Sequence, residues 1–107
     1  FTTNFPCEVA GAATWNWFIA YQLGLSVGDE CAATNTAGWY GPSVNIHRSP
    51  LGGRNFENYS EDPYLSGVMA AYTVRGAKET GTMCWLKHFA VNEEEIGRVG
   101  KYTWLTE

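Results

Sequence analysis

At 107 residues the chain has material for one small domain and too little for a large two-domain enzyme. Its 45% apolar and 15% aromatic content, with five Trp, excludes a disordered chain. A net charge of −4, with the seven Lys and Arg scattered from Arg48 to Lys101, excludes a basic stripe able to grip nucleic acid. The longest apolar stretch, Trp15 to Val27, is broken by Asn16, Gln22 and Ser26 and falls short of the ~20 residues of a membrane span. Cys7, Cys31 and Cys84 are odd in number and contain no CxxC, which favours buried free thiols in a reducing, cytoplasmic compartment. The opening FTTNFP shows neither an initiator Met nor the charged leader and apolar core of a signal peptide. With the closing WLTE reading as the start of a helix, the chain is expected to be a segment cut at both ends.

In chain order, Pro6 can open a short helical turn to Ala13, since Pro at the first helical position loses no needed hydrogen bond. Asn16 is a plausible N-cap for a helix reaching about Thr34, with Phe18, Ile19, Leu23, Val27 and Cys31 as its buried stripe. Gly38-Trp39-Tyr40, ahead of Gly41-Pro42, reads as a short buried strand. Tyr40 to Asp62 then forms a connection rich in Pro, Gly, Asn and charge, far longer than the usual four to six or so residues, and such loops tend to carry function. Asp62-Pro63 starts a helix expected to run to about Thr80 on Leu65, Val68, Met69, Tyr72 and Gly76, and to stop at Gly81. Met83 to Leu86 is an apolar run without alternation, the pattern of a strand covered on both faces. A last helix is expected near Thr103, and no internal repeat is evident. This rhythm is α/β, that of a barrel or doubly wound sheet, with sites at the carboxyl ends of its strands.

Both polar clusters fall at such ends. Arg54 follows Gly52-Gly53 and either offers its fork of donors to paired ligand oxygens or pairs with Glu57 or Glu61 as a solvated loop residue. Lys87-His88, directly after a buried strand, must find partners, because Lys is almost never buried unpaired. His47 and His88 lack any metal-ligand spacing with Glu93, Glu94 or Glu95, and that acidic run reads as a solvated helix start or loop. Ser43, Ser49 and Ser60 have no GxSxG context, and LGGRN is not a phosphate-cradling Walker loop. Trp39, Tyr40, Phe56, Tyr59 and Trp85 supply either core packing or stacking faces for a sugar ring.

The segments TNFPCEVAGAATWN, GPSVNIHRSPLGGRNFENYSEDPYLSG and WLKHFAVNEEE, in that order, resemble the catalytic barrel of glycoside hydrolase family 3, most closely its β-glucosidase branch. The resemblance implies an incomplete piece of a (β/α)8 barrel spanning residues 1–107, about two β/α units. It implies a parent that is a retaining, exo-acting β-glucosidase acting on terminal β-glucosyl residues, with no cofactor. It places sugar-hydroxyl binding on Arg54, Lys87 and His88, and a supporting role on Glu57. The family's DGP-type and SDW-type segments are absent from the chain, and the acid/base Glu belongs to a further domain. The catalytic nucleophile and acid/base are therefore expected outside these residues, the partners being a small saccharide and the remainder of the parent protein. KHFAVNEEE also departs from the KHFPGHG-like pattern of the N-acetylglucosaminide-cleaving branch. A non-catalytic sugar-binding domain is the alternative reading.

Overall fold

Two capped helices organise the chain. The computed structural model describes residues 2–106. After a short helix α1, Glu8–Ala12, come α2, Trp17–Ala33, strand β1, Gly38–Trp39, helix α3, Pro63–Lys78, and strand β2, Met83–Cys84. A single 3-10 turn, Asn55–Glu57, interrupts the long connection before α3. No helix among the described residues is long and apolar enough to cross a membrane.

Local chemistry sets both long helix starts. Asn16 accepts the Phe18 N–H at 3.0 Å, and Asp62 accepts those of Tyr64 at 2.9 Å and Leu65 at 3.3 Å, with Pro63 at the first helical position. Replacing Asp62 by Ala orphans these donors and is expected to cost about 1 kcal/mol, read as a lowered midpoint in thermal or denaturant unfolding. Proline opens no helix at the other end of the chain: α1 begins at Glu8 with Cys7 as its N-cap. Arg75 and Lys78 lie in the last turn of α3, where the helix dipole favours cations. The chain then turns at Gly81, whose φ of +84° suits glycine.

The buried face of α2 is not the expected apolar stripe. Phe18 and Ile19 are exposed, while Ala20, Gly24 and Gly28 are buried. The reason is close helix approach. A Cβ on Gly24 would collide with the Thr73 carbonyl, and one on Gly28 would lie 2.8 Å from the Ala77 carbonyl. On α3 the buried residues Ser66, Met69, Ala70, Thr73, Gly76 and Ala77 recur at three- and four-residue steps. A Trp17–Tyr72 ring contact at 4.7 Å closes one end of the pair. Met69, Ala70, Ala20, Ala12 and Tyr59 form the core, so Tyr59 belongs to packing, its hydroxyl donating to Thr73 Oγ1 at 3.0 Å.

The two strands pair in parallel, Gly38 with Met83 and Trp39 with Cys84. Pairing resumes at Ser43 with Lys87, so three residues of the first strand face two of the second and the ladder bulges once. The expected strand over Met83 to Leu86 is thus shorter. It is also not covered on both faces, since Met83, Trp85 and Leu86 are exposed. Cys7 is exposed and Cys31 and Cys84 are half-buried, against the expectation of buried thiols. No helix forms near Thr103 among the described residues. Gly97 and Gly100 take positive φ of 67° and 84°, which breaks a helical path ahead of Thr103, and Trp104 is 91% exposed.

Candidate functional site

Ser43 is the point on which the site is built. It bridges in parallel to both Asn58 and Lys87, and its Oγ donates to Asn58 Oδ1 at 2.6 Å. Val44 N–H donates to the Lys87 carbonyl at 2.7 Å and Lys87 N–H to that of Pro42 at 3.2 Å. The long connection is therefore not a free loop but is tied to the end of β2. His47 Nε2 lies 2.8 Å from the Asn55 carbonyl and 3.0 Å from that of Asn58, a holding role for the loop. Asn55 Nδ2 donates to the Ser49 carbonyl at 2.7 Å.

Arg54 caps the 3-10 turn, and the i, i+3 spacing brings Glu57 beside it. Nε donates to Glu57 Oε1 at 2.6 Å and Nη2 to Oε2 at 2.7 Å, a two-pronged pair. Lys87 Nζ donates to the same Oε2 at 2.7 Å. Glu57 thus joins two cations that stand 30 and 3 positions from it in sequence. The hydrogen bonds from Arg54, and then the Lys87 contact and charge, hold its carboxyl down at about 2 against the opposing effect of burial. Of the two partners open to Arg54 in the sequence, Glu57 is taken, and Glu61 instead accepts from Ser60 Oγ at 3.2 Å.

A second carboxylate reaches Arg54 from the chain after β2. Glu95 Oε1 accepts from Nη1 at 2.9 Å and from Asn92 Nδ2 at 3.0 Å, and Oε2 lies 3.3 Å from Arg98 Nη1. Glu93 faces Arg48 at 3.3 Å. The run Glu93 to Glu95 is therefore not a solvated acidic patch, because two loop arginines, Arg48 and Arg54, draw it against the loop, and Arg98 pairs with Glu95 from its own segment. Gly52 permits this approach: its carbonyl accepts the Glu95 N–H at 2.9 Å, and a Cβ on it would lie 2.9 Å from the Glu93 carbonyl. Gly52 thus brings protein backbone close to protein backbone.

His88 stands beside Lys87, its backbone N–H donating to Asn45 Oδ1 at 2.8 Å and Nδ1 lying 3.3 Å from the same oxygen. An amide oxygen there calls for the proton on Nδ1 and leaves Nε2 as an acceptor. Desolvation, then the charges of Arg54 and Lys87, push the imidazole below its ordinary range, so it is neutral at pH 7. Tyr40, largely exposed, meets the His88 ring edge-on at 6.2 Å between centroids and lies 5.7 Å below Lys87 Nζ. Arg54, Glu57, Lys87 and His88 thus come together as one array. Asn45, and Glu8 through the Ser43 N–H, join it without having been singled out in the sequence, and Glu95 joins it although its acidic run reads there as solvated, since each lies tens of residues from the group it touches.

The family model described as the glycosyl hydrolase family 3 N terminal domain matches residues 1–102. The chain belongs to glycosyl hydrolase family 3. It is 50% identical over 99 residues to beta-glucosidase A of Butyrivibrio fibrisolvens, covering 92% of this chain and 12% of that protein. It is 47% identical over 94 residues to a probable beta-glucosidase K of Emericella nidulans, covering 88% of this chain and 11% of that one. Among solved structures, DesR, a beta-glucosidase from Streptomyces venezuelae in complex with D-glucose, superposes with a TM-score of 0.89 at 38% identity over 91% of this chain and 12% of its own. Beta-glucosidase 3B from Thermotoga neapolitana, in complex with glucose, gives 0.85 at 44% identity over 87% of this chain and 13% of its own. The chain thus spans about an eighth of the length of the relatives it matches. As a family member it stands among glycosidases, and its own fold is a small mixed α/β unit with a two-stranded parallel sheet.

Proposed function

We propose that this chain is part of the barrel of a retaining β-glucosidase, about two β/α units of it, and supplies part of the pocket for the terminal β-glucosyl residue. The observation that carries this reading is the joining of Arg54 and Lys87 through Glu57 beside a neutral His88. Three of the five N–H groups of Arg54 go to carboxylates, leaving two, and Lys87 gives one of its three to Glu57. The remaining donors, with the His88 Nε2 acceptor, suit vicinal hydroxyls, which both donate and accept. Glu57 and Glu95 fix these donors in direction, so little ordering is left to the moment of binding.

Retaining hydrolysis needs two carboxyl groups about 5 to 5.5 Å apart, one attacking the anomeric carbon and one protonating the leaving oxygen. Glu57 suits neither duty: both its oxygens are occupied by cations, and a carboxyl held at about 2 is too acidic to deliver a proton near neutrality. The nucleophile and the acid/base are accordingly assigned to other parts of the full-length protein. The test is turnover of an aryl β-glucoside. The full-length protein releases the aglycone, Arg54→Ala and His88→Ala each lower kcat/KM by tenfold or more, and the isolated 107 residues release none. Turnover by the isolated segment, or full activity of Arg54→Ala, overturns the reading.

A further inference from the structure

Glu8 begins a helix only five residues long, yet its side chain reaches the buried Ser43, where its Oε1 accepts the backbone N–H at 3.0 Å. Its other oxygen, Oε2, is shut off from solvent and has no hydrogen-bond partner among the described residues. Buried polar atoms are nearly always paired, so an orphan on a residue that lines a cavity points to a group that completes it. The cavity, about 620 Å³, is lined by Glu8, Glu57, Tyr59 and Lys87. Desolvation pushes the Glu8 carboxyl up to about 8, with the negative charge of Glu57 adding to the rise and the Ser43 N–H and the Lys87 charge opposing it. At neutral pH Glu8 is therefore an acid with its proton in place. With Oε1 engaged as an acceptor, Oε2 carries the O–H and is a donor without an acceptor.

The groups around it do not fill that role. Glu57, from the 3-10 turn, is ionised and held by Arg54 and Lys87. Tyr59, just after the turn, gives its hydroxyl proton to Thr73. Lys87, following β2, is a donor only. Glu30, which also lines the cavity, accepts the Thr3 N–H at 2.8 Å, and Cys7 is exposed.

We propose that Glu8 is a further ligand-contacting residue: turned slightly into the cavity that its residue lines, its Oε2 hydroxyl donates to a hydroxyl oxygen of a saccharide bound against Lys87 and Glu57. This deepens, and rests on, the β-glucosidase reading. Ionisation of Glu8 removes the donor and sets a second negative charge beside Lys87, where it competes with Glu57 and faces the lone pairs of the sugar oxygen. Saccharide affinity therefore falls as pH rises through the range in which Glu8 loses its proton.

The experiment is glucose titration by calorimetry on the full-length protein at pH 6.5 and pH 9, for wild type, Glu8→Gln and Glu8→Leu. The wild type weakens roughly tenfold between the two, the loss set by an acid near 8 that binds ligand only when protonated. Glu8→Gln, which keeps the acceptor for Ser43 and a donor in place of the O–H but cannot ionise, binds within about threefold of wild type at pH 6.5 and loses the pH dependence. Glu8→Leu binds roughly tenfold more weakly at pH 6.5, about one lost hydrogen bond's worth. An unchanged fall with pH in Glu8→Gln overturns the inference even if Glu8→Leu fails to fold, and so does unchanged binding by a folded Glu8→Leu. A wild type that neither binds glucose at pH 6.5 nor turns over an aryl β-glucoside overturns instead the reading beneath it.

Discussion

Replacing Glu57 by Leu is expected to lower kcat/KM of the full-length protein for a β-glucoside by roughly a hundredfold, and to lower its stability by on the order of 3 kcal/mol. Arg54 and Lys87 both donate to Oε2, at 2.7 Å each, and both side chains are more than half buried. Remove the carboxylate and two cations converge on one apolar side chain, Arg54 keeping only Glu95 as counter-charge and Lys87 losing its acid partner, so Lys87 must swing outward to find water. Much of the loss is then repulsion rather than missing attraction, and this distinguishes a shared anchor from two independent pairs. Glu57→Leu combined with Lys87→Met should lose less stability than the two single changes summed, because the second substitution removes one of the stranded charges. Additive losses in such a cycle would falsify the shared-anchor account. Lys87→Met alone should be milder in stability, since the two-pronged Arg54–Glu57 pair survives it.

The same carboxylate gives the protein an acid-sensitive element with a definite window. Its folded-state value near 2 lies below the ordinary 4.5, so its contribution to stability is complete above about 4.5 and is lost as pH falls from there toward 2. Thermal midpoints measured between pH 5 and pH 2 should fall less steeply in Glu57→Gln than in wild type. Parallel slopes would show that Glu57 is not the group being protonated.

Features set by neighbouring residues were legible in the sequence, and features set by distant ones were not. Asp62-Pro63 announces a helix start because capping chemistry is complete within four residues, and the structure starts α3 there. Asn16 does the same for α2. The partnership of Glu57 with Lys87 spans 30 residues, and that of Glu95 with Arg54 spans 41, and no local pattern encodes either. Arg54 was readable as a residue needing an acid, with Glu57 three positions away, but the pair alone does not distinguish a surface bridge from a shared anchor. Glu8 left no trace at all, since a single acid after Pro6-Cys7 looks like any exposed side chain. The acidic run from Glu93 to Glu95 misleads for the converse reason: a cluster of like charge reads as solvated until the arginines that neutralise it are brought alongside. Hydrophobic periodicity misleads on the face of α2 because it counts side chains, whereas the contact with α3 depends on their absence.

That absence supports the last prediction. Alanine at position 24 is expected to destabilise the protein by about 2 kcal/mol even though alanine is the better helix former by about 1 kcal/mol. The Cβ would run into the Thr73 carbonyl, which is backbone inside a helix and cannot rotate aside, so α2 and α3 must separate along their shared face. Separation opens gaps around Met69, Thr73 and Ala77, all nearly inaccessible in the native packing. It also shifts the frame that carries β2 and, just beyond it, Lys87. Gly67 on α3 is the control: it is exposed, and a Cβ there meets nothing within 4 Å. Gly67→Ala should therefore raise stability by up to about 1 kcal/mol, the opposite sign from the same substitution on the neighbouring helix. Equal thermal midpoints for the two variants would mean that α2 and α3 do not meet backbone to backbone. Leucine at position 24, with three more carbons to place in the same gap, should abolish cooperative unfolding of this unit and, with it, the closure of Lys87 onto Glu57.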